Sequence, residues 1–144
     1  MELLRSLQFV PGNRRDMLDK ASALDADVLV ADLEDSVPLA EKAAALDVVR
    51  ELGPGIAALV RKLVVRVNSL DTGLTSDELD AIVGTHLYAV SIGKVETPEH
   101  VKECDRLLAL SESRRGLAIG GIKMIPWIES SKAVLKALEI ATAS

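Results

Sequence analysis

Leu63-Val64-Val65-Arg66-Val67-Asn68 is the stretch on which the fold turns. Its residues are nearly all apolar and β-branched, without the in–out alternation of a strand wetted on one side. Such a run fits a parallel strand covered on both faces. Moving outward, similar runs recur at Ser6–Val10 and Asp27–Leu33 before it, and at Ala89–Val95 and Gly121–Ile128 after it. Segments with helical spacing of apolar residues lie between them. Met17, Ala21 and Leu24 are expected on the core face of the first helix, and Leu79, Ile82 and Val83 on that of the third. Val101, Cys104 and Leu108 should line the fourth, and Val134, Leu138 and Ala141 the fifth.

Punctuating residues agree with this division. Thr75 with Glu78 spells a capping box. Thr97-Pro98 places a capping hydroxyl before a proline at the first helical position, and Ser36-Val37-Pro38 does the same for the second helix. Gly84 stands where a helix stop belongs. Leu52-Gly53-Pro54-Gly55 is the sharpest break and reads as a loop. Strand then helix, five times over, predicts an α/β fold with a parallel sheet, in one domain spanning residues 1–144. That length completes a doubly wound domain of flavodoxin type, whereas a (β/α)8 barrel needs roughly 250 residues. Length alone therefore favours the doubly wound sheet.

Composition narrows the function classes. A hydrophobic fraction of 49% can bury a real core, which excludes disorder as the main state. With 17 Lys plus Arg against 22 Asp plus Glu, the net charge of −5 argues against nucleic acid as a partner. Phe9, Tyr88 and Trp127 are the only aromatics, too few for a base-stacking platform. Cys104 stands alone, so no internal disulfide can form and a reducing compartment fits. No apolar run approaches the ~18 residues of a membrane span. Met1-Glu2-Leu3-Leu4-Arg5 lacks the apolar core and cleavage site of a signal peptide, so a cytoplasmic location is expected.

In α/β folds ligands meet the carboxyl ends of the strands, so the residues just beyond each strand carry the chemistry. After the first strand, Pro11-Gly12-Asn13-Arg14-Arg15 reads either as an anion anchor at a helix start or as a turn with solvated arginines. Asp32-Leu33-Glu34-Asp35 crowds three acids after the second strand, as a cation site, a polar network or an acidic helix start would. Arg66 lies inside an apolar strand, where a guanidinium needs a partner. It could hold a carboxylate bidentately, or pair structurally with Glu34 or Asp35, and alternation puts Val64 and Asn68 on its face. Lys94 reads equally as a site cation or, with Glu96, as a rim charge. Glu129, directly after the fifth strand, is placed as a hard-metal ligand would be. His86 and His100 have no companion at metal-ligand spacing, and Cys104 and Trp127 read as packing residues.

Phe9-Val10-Pro11-Gly12-Asn13-Arg14, Asp32-Leu33-Glu34-Asp35-Ser36-Val37, Val65-Arg66-Val67-Asn68, Lys94-Val95-Glu96 and Ile128-Glu129-Ser130 form one ordered set. In order and spacing it resembles the citrate lyase β-subunit-like enzymes of the HpcH/HpaI aldolase superfamily. That group includes citryl-CoA, malyl-CoA and citramalyl-CoA lyases. The resemblance implies a TIM barrel, of which this chain would be the first five βα units of eight, reversing the preference from length. It further implies magnesium-dependent carbon–carbon cleavage of a 3-hydroxyacyl-CoA to an acyl-CoA and a 2-oxo acid. On that reading Glu129 is a magnesium ligand that also meets substrate. Arg66 binds the substrate's oxygens and stabilises the developing charge. Glu34 and Asp35 order the metal's water shell and orient Arg66. Phe9, Arg14 and Lys20 touch CoA.

Two departures stand out. The family's second magnesium carboxylate, an Asp after the sixth strand, is not in this sequence, so the chain is expected to be a truncated lyase. The family's usual Leu-Pro-Lys at the end of strand four is replaced by Ile92-Gly93-Lys94, where glycine is expected to loosen the loop. Relatives are usually oligomers, which makes a homo-oligomer the expected state. The competing readings are an inactive subunit that binds CoA or another polypeptide, and a doubly wound, receiver-like signalling domain.

Overall fold

β-Branched side chains pack well on a pleated surface, and the five runs rich in them form the strands. The computed structural model describes residues 4–144, so the first residues of the Met1-to-Arg5 start lie outside the described residues. The strands are Leu7–Pro11 (β1), Val28–Asp32 (β2), Leu63–Val67 (β3), Ala89–Ile92 (β4) and Lys123–Pro126 (β5). All neighbours are parallel, and the spatial order is β1-β2-β3-β4-β5. The intervening helices are Arg15–Ala21 (α1), Lys42–Ala57 (α2), Thr75–Ile82 (α3), Pro98–Arg114 (α4), Ser131–Leu135 (α5) and Ala137–Ala141 (α6).

Two apolar layers flank the sheet. On one face Leu29, Ala31, Leu63, Val65, Val90 and Ile92 pack against the helices through Leu18, Val49, Ile56, Leu79, Cys104 and Leu108. Burying each large aliphatic here contributes roughly 1.5–3 kcal/mol over leaving it exposed. The other face holds a smaller cluster made of strand-side residues, with Val28, Val30, Val64 and Ala89 fully buried beside Leu7, Phe9, Tyr88 and Ile125. Its members come from no helix. A doubly wound sheet of flavodoxin type has the order 2-1-3-4-5 and helices on both faces. The consecutive order and one-sided helix layer depart from it on both counts.

Several local expectations are corrected. The second to fifth strands are shorter than their apolar runs, and the first is shifted one residue onward, to Leu7–Pro11. After Ile92, for example, the chain leaves the sheet because Lys94 adopts φ +55°. Asn68 follows the last residue of β3 and so escapes the alternation: its amide donates to Leu33 O at 2.9 Å and to the Glu78 carboxylate at 2.5 Å. Thr75 and Glu78 make no capping box. Thr75 donates to Asn68 O at 2.9 Å, and Glu78 accepts from Asn68 N at 2.7 Å, so both tie α3 to the end of β3. Gly53-Pro54-Gly55 is helical. Pro54 is solvent-exposed, where water can serve the carbonyl it deprives, and continuing the turn buries Ile56. α1 ends at Ala21, so Leu18 and Ala21 are buried while Met17 and Leu24 are exposed. The fifth helix breaks at Lys136 into α5 and α6. Ala133 and Ile140 face the core, leaving Val134, Leu138 and Ala141 outside.

Candidate active site

The carboxyl ends of the strands gather the predicted polar residues. Asp32 and Arg66 are register partners on neighbouring strands, so their side chains leave the sheet on the same face. The Arg66 guanidinium grips Asp32 in a fork, Nε to Oδ1 and Nη2 to Oδ2, both at 2.7 Å. Asp32 is 2% and Arg66 13% exposed, so this is a desolvated, bidentate ion pair. Asp32 also accepts from the backbone N–H of Glu34 at 2.8 Å and of Ser36 at 3.2 Å, which folds the acidic segment over the end of β2. Burial pushes the Asp32 carboxyl up, but the fork and these N–H bonds outweigh it and hold it below the usual carboxylate range.

The remaining guanidinium nitrogen faces the other acids. Arg66 Nη1 lies 3.5 Å from Glu34 and 3.4 Å from Asp35. Lys94 Nζ approaches the same pair from β4, 3.4 Å from Glu34 and 3.3 Å from Asp35. Glu34 is the buried member, 3% exposed, and neither of its oxygens has a hydrogen bond despite the two cations beside it. Burial, then the charge of Asp35, raises its carboxyl above the ordinary value against the pull of Lys94 and Arg66. Its carboxylate fills the space where residue 93 would carry a side chain: a Cβ on Gly93 would meet Glu34 Oε2 at 2.5 Å. The glycine therefore admits Glu34 instead of loosening the loop. Gly12 does similar work at the end of β1, where an added Cβ would meet Asp32 O at 2.9 Å.

Glu129 follows β5 on the same rim. Its Oε1 accepts from Lys94 N at 2.6 Å, so one residue links the carboxylate after β5 to the acids after β2. The ring of Phe9 lies under Arg66, 5.3 Å from Cζ, and packs at 5.7 Å against Trp127, which donates to Ser91 at 2.5 Å. Arg66 and Glu129 thus open onto one rim, joined through Lys94.

The predicted CoA contacts are brought together only in part. Phe9 and Lys20 line a shallow groove with Met17 and Leu24 along the free edge of β1. Arg14 is exposed and paired to Asp16 at 3.1 Å, outside that groove. Sequence reasoning missed Asp32 as the main partner of Arg66, although its spacing from Val28 and Val30 already placed it in phase.

As a metal site, the rim offers oxygen donors alone. Among the described residues no three His, Cys, Asp or Glu side chains converge on one point, so zinc does not fit. Magnesium takes one or two carboxylates and completes its octahedron with water and ligand oxygens, which Glu129, tied through one oxygen to Lys94 N, can support with its other oxygen. The donor set fits magnesium held by one protein carboxylate.

The profile of the HpcH/HpaI aldolase/citrate lyase family matches residues 5–144. The chain belongs to this family. The citrate lyase subunit beta of Leuconostoc mesenteroides subsp. cremoris is 37% identical over 99% of this chain and 47% of its own length. Among solved structures of the family, the citrate lyase beta subunit of M. tuberculosis complexed with oxaloacetate and magnesium superposes with a TM-score of 0.73. Identity there is 30%, covering 100% of this chain and 57% of that one. Protein CitE of the same organism, in complex with magnesium, acetoacetate and coenzyme A, matches at 29% identity and TM-score 0.72, covering 99% and 47%. The chain spans about half the length of the curated citrate lyase family relatives it matches.

Proposed function

We propose that this chain forms the N-terminal part of a magnesium-dependent carbon–carbon lyase. Its substrate would be a 3-hydroxyacyl-CoA of the citryl-, malyl- or citramalyl-CoA type, and its products an acyl-CoA and a 2-oxo acid. The observation that carries the reading is the convergence of Arg66 and Glu129 on one rim, bound into a single network by Lys94, Glu34 and Asp35. The consecutive strand order and one-sided helix layer support the first five βα units of a (β/α)8 barrel, one partial domain over residues 1–144. The relatives' complexes with magnesium, oxaloacetate and coenzyme A supply the ligand classes.

Each residue's work follows from its geometry. Asp32 occupies Nε and one Nη2 hydrogen of Arg66, which fixes the plane of the guanidinium. The other three N–H groups are free of short bonds and are the ones that meet a substrate carboxylate or carbonyl oxygen. As the carbon–carbon bond breaks, the hydroxyl gives up its proton and its carbon becomes the keto carbon of the oxo acid, while the bond's electron pair moves toward the thioester as an enolate that takes up one proton to give the acyl-CoA. Arg66 stabilises the negative charge that develops on oxygen. Glu129 would hold the magnesium, which would supply Lewis acidity toward the oxygens of the oxo acid. Glu34 and Asp35 hold Arg66 and Lys94 in place and order water around the cation. Phe9 supports the guanidinium face and, with Lys20, offers the CoA groove; Arg14, which lies outside the groove, is the third residue assigned to CoA by the family resemblance.

The test is calorimetry on this chain with oxaloacetate, with and without magnesium, and separately with CoA. We expect oxaloacetate binding that requires magnesium and disappears in Glu129→Ala and in Arg66→Ala. Binding that ignores magnesium, or survives both substitutions, overturns the reading. CoA binding without oxo-acid binding would favour the non-catalytic subunit.

A further inference from the structure

Lys94 is the only non-glycine residue with positive φ among the described residues. Lysine gains nothing intrinsic from φ +55°; the left-handed region suits glycine and, next, asparagine. A residue kept in such a conformation is held there by its surroundings, and these residues concentrate at functional sites. Here the surroundings are specific. Before it, Gly93 is pressed against the Glu34 carboxylate. Its ammonium sits between Glu34 and Asp35. Its backbone N–H, turned by the positive φ, donates to Glu129 Oε1 at 2.6 Å across 35 positions of sequence.

We infer that Lys94 is a positioning residue for the candidate metal ligand: its left-handed backbone aims an amide at Glu129 and fixes the rotamer in which that carboxylate meets the cation. The inference rests on the lyase reading above and deepens it. One carboxylate oxygen is immobilised by a neutral donor, and the remaining lone pairs then point in a set direction. Partners that orient a ligand in this way commonly change metal affinity by about 10–100-fold when removed. The side chain explains why lysine occupies the position. Asparagine would reach the same backbone region with less strain but would bring no cation to Glu34 and Asp35.

Two substitutions separate the backbone from the charge. Lys94→Asn removes the ammonium and keeps the left-handed conformation accessible. Lys94→Val also removes the ammonium, but a β-branched residue is strongly disfavoured there. Magnesium alone is titrated calorimetrically into wild type and both variants, with circular dichroism reporting the fold. We expect Lys94→Val to bind magnesium about tenfold or more weakly than Lys94→Asn, both with native spectra. If the two variants bind magnesium equally, the positioning role is overturned while the lyase reading stands. If the wild type binds no magnesium, the lyase reading falls and takes this inference with it. Should Lys94→Val lose its native spectrum, amide hydrogen exchange at residue 94 in Lys94→Asn decides: protection matching wild type supports the amide–Glu129 bond, and rapid exchange overturns it.

Discussion

The two ends of β2 each carry a buried aspartate gripped by an arginine, and they are built to opposite purposes. At the amino end, Asp27 accepts three bonds from Arg5, all at 2.9 Å, and a longer one from Arg61 at 3.4 Å. Arg61 also pairs with the exposed Asp25 at 2.8 Å, so two acids meet two arginines, both more than half exposed, and nothing in the cluster is left wanting. At the carboxyl end the acids are in excess. Asp32, Glu34 and Asp35 share Arg66 and Lys94, the guanidinium is mostly buried, and Glu34 has no hydrogen bond. The lower cluster is a finished tie between chain segments. The upper one holds polar capacity in reserve, which is the condition of a site awaiting a ligand.

The largest test of this contrast is Arg66→Met. It strands Asp32 as a buried charge and leaves Glu34 with Lys94 as its one cation, and we expect about 3–5 kcal/mol of lost stability in urea unfolding. A loss no greater than that of an exposed arginine would mean the upper cluster is as redundant as the lower.

Gly93→Ala comes next. The added methyl group drives Glu34 from its place, and overpacking of this kind costs roughly 1–3 kcal/mol. Removing the clash in Gly93→Ala/Glu34→Ala should restore most of the loss, which denaturation of the double variant would show.

The smallest effect is in slope. Arg5, through its side chain and then its backbone N–H, holds the Asp27 carboxyl well below the usual range. Its contribution is therefore full above the ordinary value of 3.8 and is lost as pH falls through the lower folded value. Glu34 is shifted upward, so its contribution is full below 4.5 and is lost as pH rises through the higher folded value. Thermal melts against pH should lose part of their acid limb in Asp27→Asn. In Glu34→Gln the decline above pH 4.5 should flatten.

How far the sequence revealed these regions depends on the range of the forces involved. Strands were legible because unbroken β-branched runs have few other uses, and the core faces of α3 and α4 followed from spacing alone. The break at Lys136 carries no glycine or proline to announce it. The helical Gly53-Pro54-Gly55 segment defeated local punctuation because the burial of Ile56 acts through the tertiary structure. At the site, Arg66 and Glu129 stood out as charges adjoining apolar strands. The Arg66–Asp32 fork required knowing that β2 pairs with β3 in that register. The Lys94–Glu129 bond was invisible, since a backbone amide has no sequence signature and its direction depends on a single φ angle.

Trp127 is the only tryptophan in the chain, and its indole lies against Phe9, whose ring supports Arg66. The molecule thus carries one indole fluorophore, excitable at wavelengths Tyr88 does not absorb and stationed at the mouth where charges gather. Its emission belongs to that mouth and to no other part of the protein, so colour and intensity can follow occupancy there without any label.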